Sequence, residues 1–382
     1  MKKMTIGFDA KRAVCNNTGL GNYSRLVVDV LSKAHPDNRY VLYSPVRRDN
    51  PRLRGLLECR NVTLETPEST LGKAFSSLWR VCGGITNLLG KDGVDLFHGL
   101  SNELPLDIRR AGIPSVVTIH DLIFRRLPQC YATVDRTIYD YKFKQACLNA
   151  TRIIAISECT RRDIVELYGI DTAKIDIVYQ GCDAQFSRPV SASDIRAIRE
   201  TYGLPERYIS AVGTVEVRKN QLQAVMALRG LPDDVSLVVV GGHNKQYFPE
   251  VQQAVRRYGL GERVRFLSGI PFGHLPAIYA GSVFSSYTSR YEGFGIPVIE
   301  AISSGAPVIA ATGSCLEEAG GPGAVYVSPD SVDEYIEAAR QLLDDTDLRA
   351  DMVAKGRKYI RRFSPEEFSS GLIRSYQKAV NS

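Results

Sequence analysis

Two glutamates lie eight positions apart in a glycine-rich segment of the second half of the chain. Glu292 and Glu300 are separated by Gly-Phe-Gly-Ile-Pro-Val-Ile. Glycine admits backbone angles closed to other residues and lets a ligand approach closely, and proline suits the first turn of a helix. The pattern therefore predicts a strand that ends in a loop carrying Glu292, followed by a helix carrying Glu300. Ligands of open α/β sheets bind at such strand ends, where carboxylates would accept hydrogen bonds from the hydroxyls of a sugar or a ribose.

Two adjacent cations, Arg218 and Lys219, follow another predicted strand that ends at Val212-Gly213. They stand where the next helix should begin, and helix N-termini attract anions. A phosphate group would bring negative charge to such a position. Fixed cations at this point would stabilise that charge without a metal ion.

Near the N-terminus, Gly19 and Gly21 lie between the first strand and the first long helix. The pair lacks the third glycine of a dinucleotide fingerprint, because Ser24 occupies that position, which argues against NAD or FAD as a cofactor. Further along, His120 closes an apolar strand and so lies at the ligand edge of a sheet. His98 ends the preceding strand, and we expect a structural role for it.

Composition indicates an ordinary soluble globular protein. The 382 residues are 44% hydrophobic and 24% charged, and the length suits two α/β domains. The N-terminus turns acidic too early for a signal peptide, so we expect a cytoplasmic protein. The eight cysteines form no C-x-x-C pair, which argues against disulfides and structural zinc, and we expect most of them to be buried. Asp345-Thr346-Asp347 resembles a metal-binding pattern but is better explained as helix-end residues.

Positive charge is concentrated in the first half of the chain. Residues 1–180 hold 26 Lys and Arg against 19 Asp and Glu, whereas the remainder holds 22 against 23. A solvated basic face would explain this excess. The alternative is attraction to an anionic membrane surface, at its inner face, or to an anionic lipid-linked acceptor. Nucleic acid is not expected as a partner, because no nucleic-acid-binding pattern is present.

Short apolar runs alternate with helical stretches, which predicts two doubly wound parallel sheets. We expect an N-terminal domain over 1–185, a linker over 186–205, a C-terminal domain over 206–362 and a final helix over 363–382. The predicted strands are Thr5–Ala10, Tyr40–Ser44, Val62–Glu65, Leu96–Gly99, Ser115–Asp121, Ile153–Ser157, Ile175–Gln180, Tyr208–Val212, Leu237–Gly241, Val264–Leu267, Val283–Tyr287, Val308–Ala311 and Val325–Ser328.

The segment from Arg290 to Ala301 resembles the E-x7-E signature of retaining nucleotide-sugar glycosyltransferases of family 4, also called glycosyl transferases group 1. The resemblance covers nearly the whole chain and is strongest over 208–330. It implies the GT-B architecture, in which two Rossmann-like domains face each other across a cleft and the last helix crosses back to the first domain. It also implies a donor site in the second domain and an acceptor site in the first.

The resemblance assigns roles to single residues. Glu292 would contact the donor sugar, Glu300 the ribose, and Arg218 and Lys219 the diphosphate, with His120 near the sugar; Glu292, His120, Arg218 and Lys219 are the candidate catalytic residues. Backbone groups of the loop at Ser314 and Leu316 would hold a phosphate, although the Leu316-Glu317-Glu318 sequence lacks the proline that is common there. The donor-binding set is completed by Gly19, Gly21, Gly213, Gly293, Phe294 and Gly295.

The implied activity is sugar transfer with retention, from a nucleotide sugar to a glycan or lipid-linked acceptor of surface-polysaccharide assembly. GDP-mannose is the lead donor, because the N-terminal and His-Asp segments look most like mannosyltransferases; UDP sugars stay open. We expect neither a metal nor another cofactor. An epimerase or phosphorylase of the same architecture and a non-catalytic nucleotide-sugar-binding scaffold are the alternatives.

Overall fold

The computed structural model describes residues 3–67 and 75–382. The chain divides into two compact units. The first contains the chain up to Gln180 together with Ser364–Ser382, and the second contains Gly181–Phe363. Each unit has its own parallel sheet with helices packed against it.

The first unit is built on seven parallel strands in the order β3-β2-β1-β4-β5-β6-β7. They are β1 Thr5–Asp9, β2 Arg39–Tyr43, β3 Val62–Glu65, β4 Leu96–Gly99, β5 Ser115–Ile119, β6 Arg152–Ala155 and β7 Ile175–Ile177. Its helices are α1 Lys11–Cys15, α2 Gly19–Ala34, α3 Pro51–Leu57, α4 Ser76–Val81, α5 Gly84–Lys91, α6 Ile123–Arg126, α7 Thr133–Asn149 and α8 Glu158–Tyr168. The reversal of strand order between β1 and β4 places a switch point at Asp9 and Gly99, where ligands of such sheets bind.

The second unit is built on six parallel strands in the order β10-β9-β8-β11-β12-β13. They are β8 Arg207–Val212, β9 Val235–Val240, β10 Val264–Leu267, β11 Phe284–Tyr287, β12 Val308–Ala311 and β13 Ala324–Val327. Its helices are α9 Ala192–Tyr202, α10 Gln221–Ala227, α11 Phe248–Arg257, α12 Leu275–Ala280, α13 Ile296–Ser304, α14 Leu316–Gly320, α15 Val332–Asp344 and α16 Thr346–Tyr359. Its switch point lies between β8 and β11.

The apolar runs form the strands because both faces of a parallel sheet are covered by helices. All six residues of β9, Val-Ser-Leu-Val-Val-Val, are buried. Every strand predicted from the sequence is present, with ends that differ by up to three residues. The doubly wound α/β class is therefore confirmed.

The segment 186–205, expected to be a linker, belongs to the second unit. Helix α9 is closed by a capping box at Ser191 and by the left-handed Gly203. The Tyr202 hydroxyl lies 2.6 Å from Nδ1 of His274, which fixes this helix to the second unit. The polar composition that suggested a linker thus reflects an exposed helix, since α9 has no buried residue.

The final helix, α17 Pro365–Val380, packs on the first unit. Ser364 caps its N-terminus by accepting a hydrogen bond from the Glu367 N–H. The Tyr376 hydroxyl lies 2.7 Å from Nδ1 of buried His98, whose Nε2 lies 2.9 Å from the Thr118 hydroxyl. His98 therefore has the structural role expected for it.

Other sequence expectations have mixed outcomes. Asp345 caps α16 by accepting a hydrogen bond from the Leu348 N–H, as a helix-end residue should. All eight cysteines are free thiols, but only Cys147, Cys159 and Cys315 are fully buried, so the expectation that most are buried is wrong. Across residues 3–67 and 75–382, no helix combines the length and apolar character needed to cross a bilayer.

Candidate functional site

The two central strands of the second unit, β8 and β11, deliver the predicted site residues to one sheet edge. The loops after these strands are joined where the Arg290 N–H donates to the Arg218 carbonyl oxygen at 2.8 Å. Asn220 has a left-handed backbone with φ of 56°. Its side-chain amide donates to the carbonyl oxygens of Thr288, at 3.3 Å, and of Pro329, at 2.8 Å. These bonds fix the loop that carries Arg218 and Lys219.

Glu292 is the centre of a buried polar cluster. Its Oε1 atom lies 2.6 Å from Nη1 of Arg218 and 2.8 Å from Nζ of Lys219. The same oxygen accepts hydrogen bonds from the hydroxyls of Tyr287, at 2.9 Å, and Ser289, at 2.7 Å. The Tyr287 hydroxyl also accepts a hydrogen bond from Lys219. Three of the four predicted catalytic side chains are thus in direct contact.

The positive and negative side chains of the cluster balance one another. Arg218 also contacts Glu216, at 2.6 Å, so two cations face two carboxylates. Burial raises the pKa of Glu292, but Lys219 and Arg218 outweigh it and bring that pKa down to about 2. Burial lowers the pKa values of Arg218 and Lys219, yet attraction to Glu292 raises both above their ordinary values. All three side chains are therefore charged at neutral pH.

Glu300 has a different environment, one turn into α13. It is 8% exposed, and the Tyr279 hydroxyl donates to its Oε2 at 3.2 Å. Burial raises the pKa of Glu300 to about 7, and the Tyr279 hydrogen bond opposes that shift only in part. The carboxyl group is therefore titratable near neutral pH.

Glycines shape the loops around these side chains. Gly295 has a φ of 109°, and a Cβ there would lie 2.7 Å from Leu316, so only glycine fits at the start of α13. Gly213 has a φ of 145° and lies beside the Lys219 side chain. Phe294, next to Gly293, is 2% exposed and packs edge-on against Phe363. A donor contact by Phe294 would therefore have to come from its backbone.

The loop between β12 and α14 adjoins this cluster. The Cys315 thiol donates to the Glu292 carbonyl oxygen at 3.1 Å. Ser314 is buried, and within the described ranges its hydroxyl has no hydrogen-bond partner. Leu316 is the first residue of α14, and its side chain is in the core. An unpaired buried hydroxyl is costly, so Ser314 stays a candidate for a ligand contact.

In the first unit, the two predicted glycines differ. Gly19 is exposed at the first turn of α2, and a Cβ there would meet no atom within 4 Å. A Cβ on Gly21 would lie 1.9 Å from the Asn16 carbonyl oxygen. Gly21 is thus required for the close approach of α2 to the preceding loop, whereas Gly19 leaves the N-terminus of α2 open.

His120 is buried at the end of β5. Its Nε2 lies 2.9 Å from the Leu100 carbonyl oxygen, and its ring stacks edge-on against Tyr23. Burial lowers the pKa of His120 to about 4, although the Leu100 carbonyl opposes that shift. The imidazole is therefore neutral at pH 7 with its proton on Nε2, which leaves a hydrogen-bond acceptor at Nδ1.

Sequence reasoning missed several polar groups at these sheet edges. Tyr287, Ser289 and Tyr279 hold the two glutamates in the second unit. In the first unit, buried Arg80 contacts Asp9 at 2.7 Å and Glu103 at 2.7 Å. Asp9 could have been found, because it ends a predicted strand at a switch point. No local pattern identifies Arg80 or Glu103, which lie far from Asp9 in the chain.

Comparison with known families covers most of the chain. Residues 194–359 match the model of Glycosyl transferases group 1, and residues 27–186 match that of Glycosyltransferase Family 4. The chain is 28% identical over 287 residues to an O-antigen chain mannosyltransferase B of Escherichia coli, covering 74% of each protein. It is 30% identical over 310 residues to a D-inositol 3-phosphate glycosyltransferase of Salinispora arenicola, covering 75% of this chain and 69% of that protein.

Solved structures show the same architecture. The structure of Anabaena Alr3699/HepE in complex with UDP-glucose matches with a TM-score of 0.76 at 20% identity, covering 98% of this chain and 99% of that one. WaaG, a glycosyltransferase involved in lipopolysaccharide biosynthesis, matches with a TM-score of 0.69 at 16% identity, covering 97% and 98%. The chain therefore belongs to glycosyltransferase family 4, the glycosyl transferases group 1, and is a glycosyltransferase with the GT-B fold.

Proposed function

We propose that this enzyme transfers a mannosyl residue from GDP-mannose, with retention, to a glycan or lipid-linked saccharide acceptor of surface-polysaccharide assembly. The observation that carries the proposal is the contact of Glu292 with both Arg218 and Lys219 at the switch point of the second sheet. The cations suit a diphosphate, and the carboxylate suits a sugar hydroxyl.

The cluster supports a division of roles. All four donors around Glu292 reach Oε1. Its second oxygen would accept from a hydroxyl of the donor sugar, while Arg218 and Lys219 turn toward the diphosphate oxygens. Glu300 would accept from the ribose hydroxyls, and the Ser314 hydroxyl would donate to a phosphate oxygen. His120, neutral, would accept from a hydroxyl rather than act as an acid.

The proposed reaction occurs on one face of the sugar. The bond between the anomeric carbon and the diphosphate oxygen breaks, and the acceptor oxygen bonds to that carbon from the same side. The acceptor proton passes to an oxygen of the leaving diphosphate. Arg218 and Lys219 stabilise the charge on that diphosphate, so the proposal needs no metal ion. Undiminished transfer in the presence of EDTA would be the expected result.

Mannose is favoured because the E. coli relative is named as a mannosyltransferase. The Salinispora relative is named for D-inositol 3-phosphate, which keeps a phosphorylated polyol as a second candidate acceptor. A UDP sugar is the second candidate donor. We place the reaction in the cytoplasm, at the inner face of the membrane if the acceptor is lipid-linked.

A thermal-shift screen with GDP, UDP, ADP and dTDP and their sugar conjugates tests the donor. A ligand that binds only the folded protein raises its melting temperature. We expect stabilisation by GDP and GDP-mannose, lost in Arg218→Ala and kept in Arg256→Ala, a matched control on the exposed face of α11. Stabilisation by UDP compounds alone would mean that the donor is a UDP sugar and not GDP-mannose. No stabilisation by any of these nucleotides would contradict the proposed donor site.

Product analysis separates transfer from the other reactions of this architecture. An epimerase would convert the sugar without an acceptor, and a phosphorylase would require inorganic phosphate. A non-catalytic scaffold would keep its cellular function after simultaneous replacement of Glu292 and Lys219. We expect acceptor-dependent release of GDP and loss of function in that double variant.

A further inference from the structure

The start of helix α10 carries three buried amide side chains. Asn220, Gln221 and Gln223 are 6%, 7% and 4% exposed. Burying an amide is costly unless it is hydrogen-bonded, and each hydrogen bond returns little net stability, so an apolar residue would suit a core position better. Three buried amides directly after Arg218 and Lys219 therefore indicate a role other than packing.

Gln223 joins α10 to the loop after β13, which contains residues 328–331. Its Nε2 atom donates hydrogen bonds to the carbonyl oxygens of Ser328, at 2.8 Å, and Ser331, at 2.9 Å. Its Oε1 atom accepts a hydrogen bond from Nδ2 of Asn220 at 3.3 Å. Both ends of the amide group thus have partners, and those partners belong to two different loops at the same sheet edge.

The loop after β13 and the loop that carries Arg218 also meet through Arg290. Asp330 lies between the two carbonyl groups that Gln223 holds, and it forms an ion pair with Arg290. The Arg290 N–H donates to the Arg218 carbonyl oxygen at 2.8 Å. Asn220 follows Arg218 by two residues. The contacts therefore form a closed series that begins and ends at Gln223.

The Arg218 guanidinium is attached to this series of contacts. Its Nη1 atom lies 2.6 Å from Oε1 of Glu292 and donates to the Tyr291 carbonyl oxygen at 3.0 Å. Both partners come directly after Arg290, so a shift of that residue would move them too. The left-handed backbone of Asn220, with φ of 56°, sets the direction of the chain beyond Arg218. The place of the guanidinium thus depends on loop contacts that Gln223 holds.

We propose that Gln223 is a positioning residue for Arg218, holding its guanidinium where the diphosphate of the donor would meet it. Gln223 acts through Asn220 on one side and through the loop after β13 on the other. A displacement of about 1 Å at a reacting group can cost about 100-fold in rate, so hydrogen bonds several residues away can limit turnover. The inference rests on the proposed function in one respect, the role of Arg218 at the diphosphate.

A double-mutant cycle between Gln223 and Arg218 tests this role. Gln223→Met nearly keeps the size of the side chain but removes its donor and its acceptor. We expect kcat to fall about tenfold, with the KM for the acceptor unchanged. In the Arg218→Ala background the same substitution should cost less than about twofold, because a positioning residue loses its effect once the residue it positions is gone. Gln253→Met, at an exposed glutamine of α11, is the matched control and should leave kcat unchanged.

The coupling between the two substitutions decides the outcome. An equal loss from Gln223→Met in the parent and in the Arg218→Ala background would overturn the inference, because the effect would then not pass through Arg218. An unchanged kcat in the parent would overturn it as well. The cycle uses whichever nucleotide sugar the parent accepts. A UDP sugar in place of GDP-mannose would therefore change the proposed donor and leave the expected coupling intact.

Asp330→Ala covers the case in which Gln223→Met does not fold. It changes a side chain that is 73% exposed, so the melting temperature should stay the same. It opens the series of contacts at another point and should lower kcat about threefold in the parent, with no further loss in the Arg218→Ala background. Equal losses in the two backgrounds would contradict the positioning role.

Discussion

Glu292 lies in the loop before α13, and Glu300 lies in α13 itself. Both are buried in the second unit, but their surroundings differ. Glu292 meets two cations and two hydroxyls at a single oxygen, whereas Glu300 meets one tyrosine hydroxyl. The pKa of Glu292 falls to about 2, since the cations outweigh burial, and that of Glu300 rises to about 7, since burial prevails. Burial alone therefore does not determine the charge of a site carboxylate; its partners do.

Glu292 and Glu300 differ in how far they are oriented and ionised before a ligand binds. Glu292 is oriented and ionised before any donor arrives, as preorganised sites require. Among the described residues, Glu300 accepts one side-chain hydrogen bond, from Tyr279, and hydroxyls of a ribose would add others. Glu292 is therefore ionised at neutral pH whether or not a ligand is bound, whereas the ionisation of Glu300 can change when a ligand binds.

Replacing Glu292 should have the largest effect. Glu292→Gln leaves Arg218 and Lys219 without their shared anion and removes the acceptor proposed for the sugar. We expect transfer to fall by about 100-fold or more, measured in single turnovers with saturating donor. Glu216→Gln, which removes the outer partner of Arg218, is the control and should lose far less. Equal losses in the two variants would erase the distinction between Glu292 and its neighbours.

The two glutamates should give opposite pH dependences of stability. The raised pKa of Glu300 means that the folded state holds its proton more tightly than the unfolded state, so the free energy of unfolding falls as pH rises from about 4.5 to about 7, by about 3 kcal/mol. The lowered pKa of Glu292 contributes stability above about pH 4.5 that is lost as pH falls toward 2. Between about pH 4.5 and about pH 7, the free energy of unfolding measured with urea should fall less in Glu300→Gln than in the parent. An unchanged slope in that variant would contradict the environment described for Glu300.

Donor binding should follow the ionisation of Glu300. Ribose hydroxyls would stabilise the carboxylate, so affinity should rise severalfold as pH rises through about 7. The nucleotide sugar is the appropriate ligand, because its doubly esterified diphosphate does not titrate in this range. Calorimetry should show the dependence in the parent and not in Glu300→Gln. A parent without pH dependence would remove Glu300 from the ribose site.

Two tyrosine variants provide a matched comparison. Tyr287→Phe removes a hydroxyl between Lys219 and Glu292, and we expect about a tenfold loss in kcat with a smaller change in KM. Tyr279→Phe removes the hydrogen-bond donor to Glu300 and should raise the pKa of that carboxyl further, shifting the pH profile of donor binding to higher pH. Identical kinetic changes in both variants would show that the two glutamates do not act separately.

Ser314→Ala should have the smallest effect. Because the buried hydroxyl has no partner within the described residues, its removal should leave stability unchanged or slightly raised. Affinity for the nucleotide sugar should fall up to about tenfold if the hydroxyl contacts a phosphate. Unchanged affinity would assign the loop's contribution to its backbone alone.

The fold was largely predictable because buried parallel strands and helix ends have local signatures. Apolar runs located the strands, and residues such as Pro297 and Gly305 marked the ends of α13. The error over 186–205 arose because a short polar helix and a linker have similar compositions. Its attachment through Tyr202 and His274 depends on contacts between distant segments.

The candidate site was predictable where chemistry follows a strand directly. Arg218, Lys219 and Glu292 lie in loops that follow strands and meet in space, whereas Glu300 lies in the helix after the second of these loops. Their supporting residues were not predicted, since a tyrosine at the end of a strand, such as Tyr287, has no distinguishing pattern. The opposite ionisation of the two glutamates also could not be read from the sequence, because it depends on burial and on partners from other segments.

The C-terminal helix has a consequence for biosynthesis. Tyr376 of α17 bonds to His98 inside the first unit, and Ser375 and Lys378 bond to Asp176 of the same unit at 2.9 and 2.7 Å. The first unit therefore cannot complete its core until α17 has been synthesised. The second unit, made later, has all its own strands before that point. Truncation of the chain before α17 would accordingly damage the first unit while leaving all strands of the second unit in place.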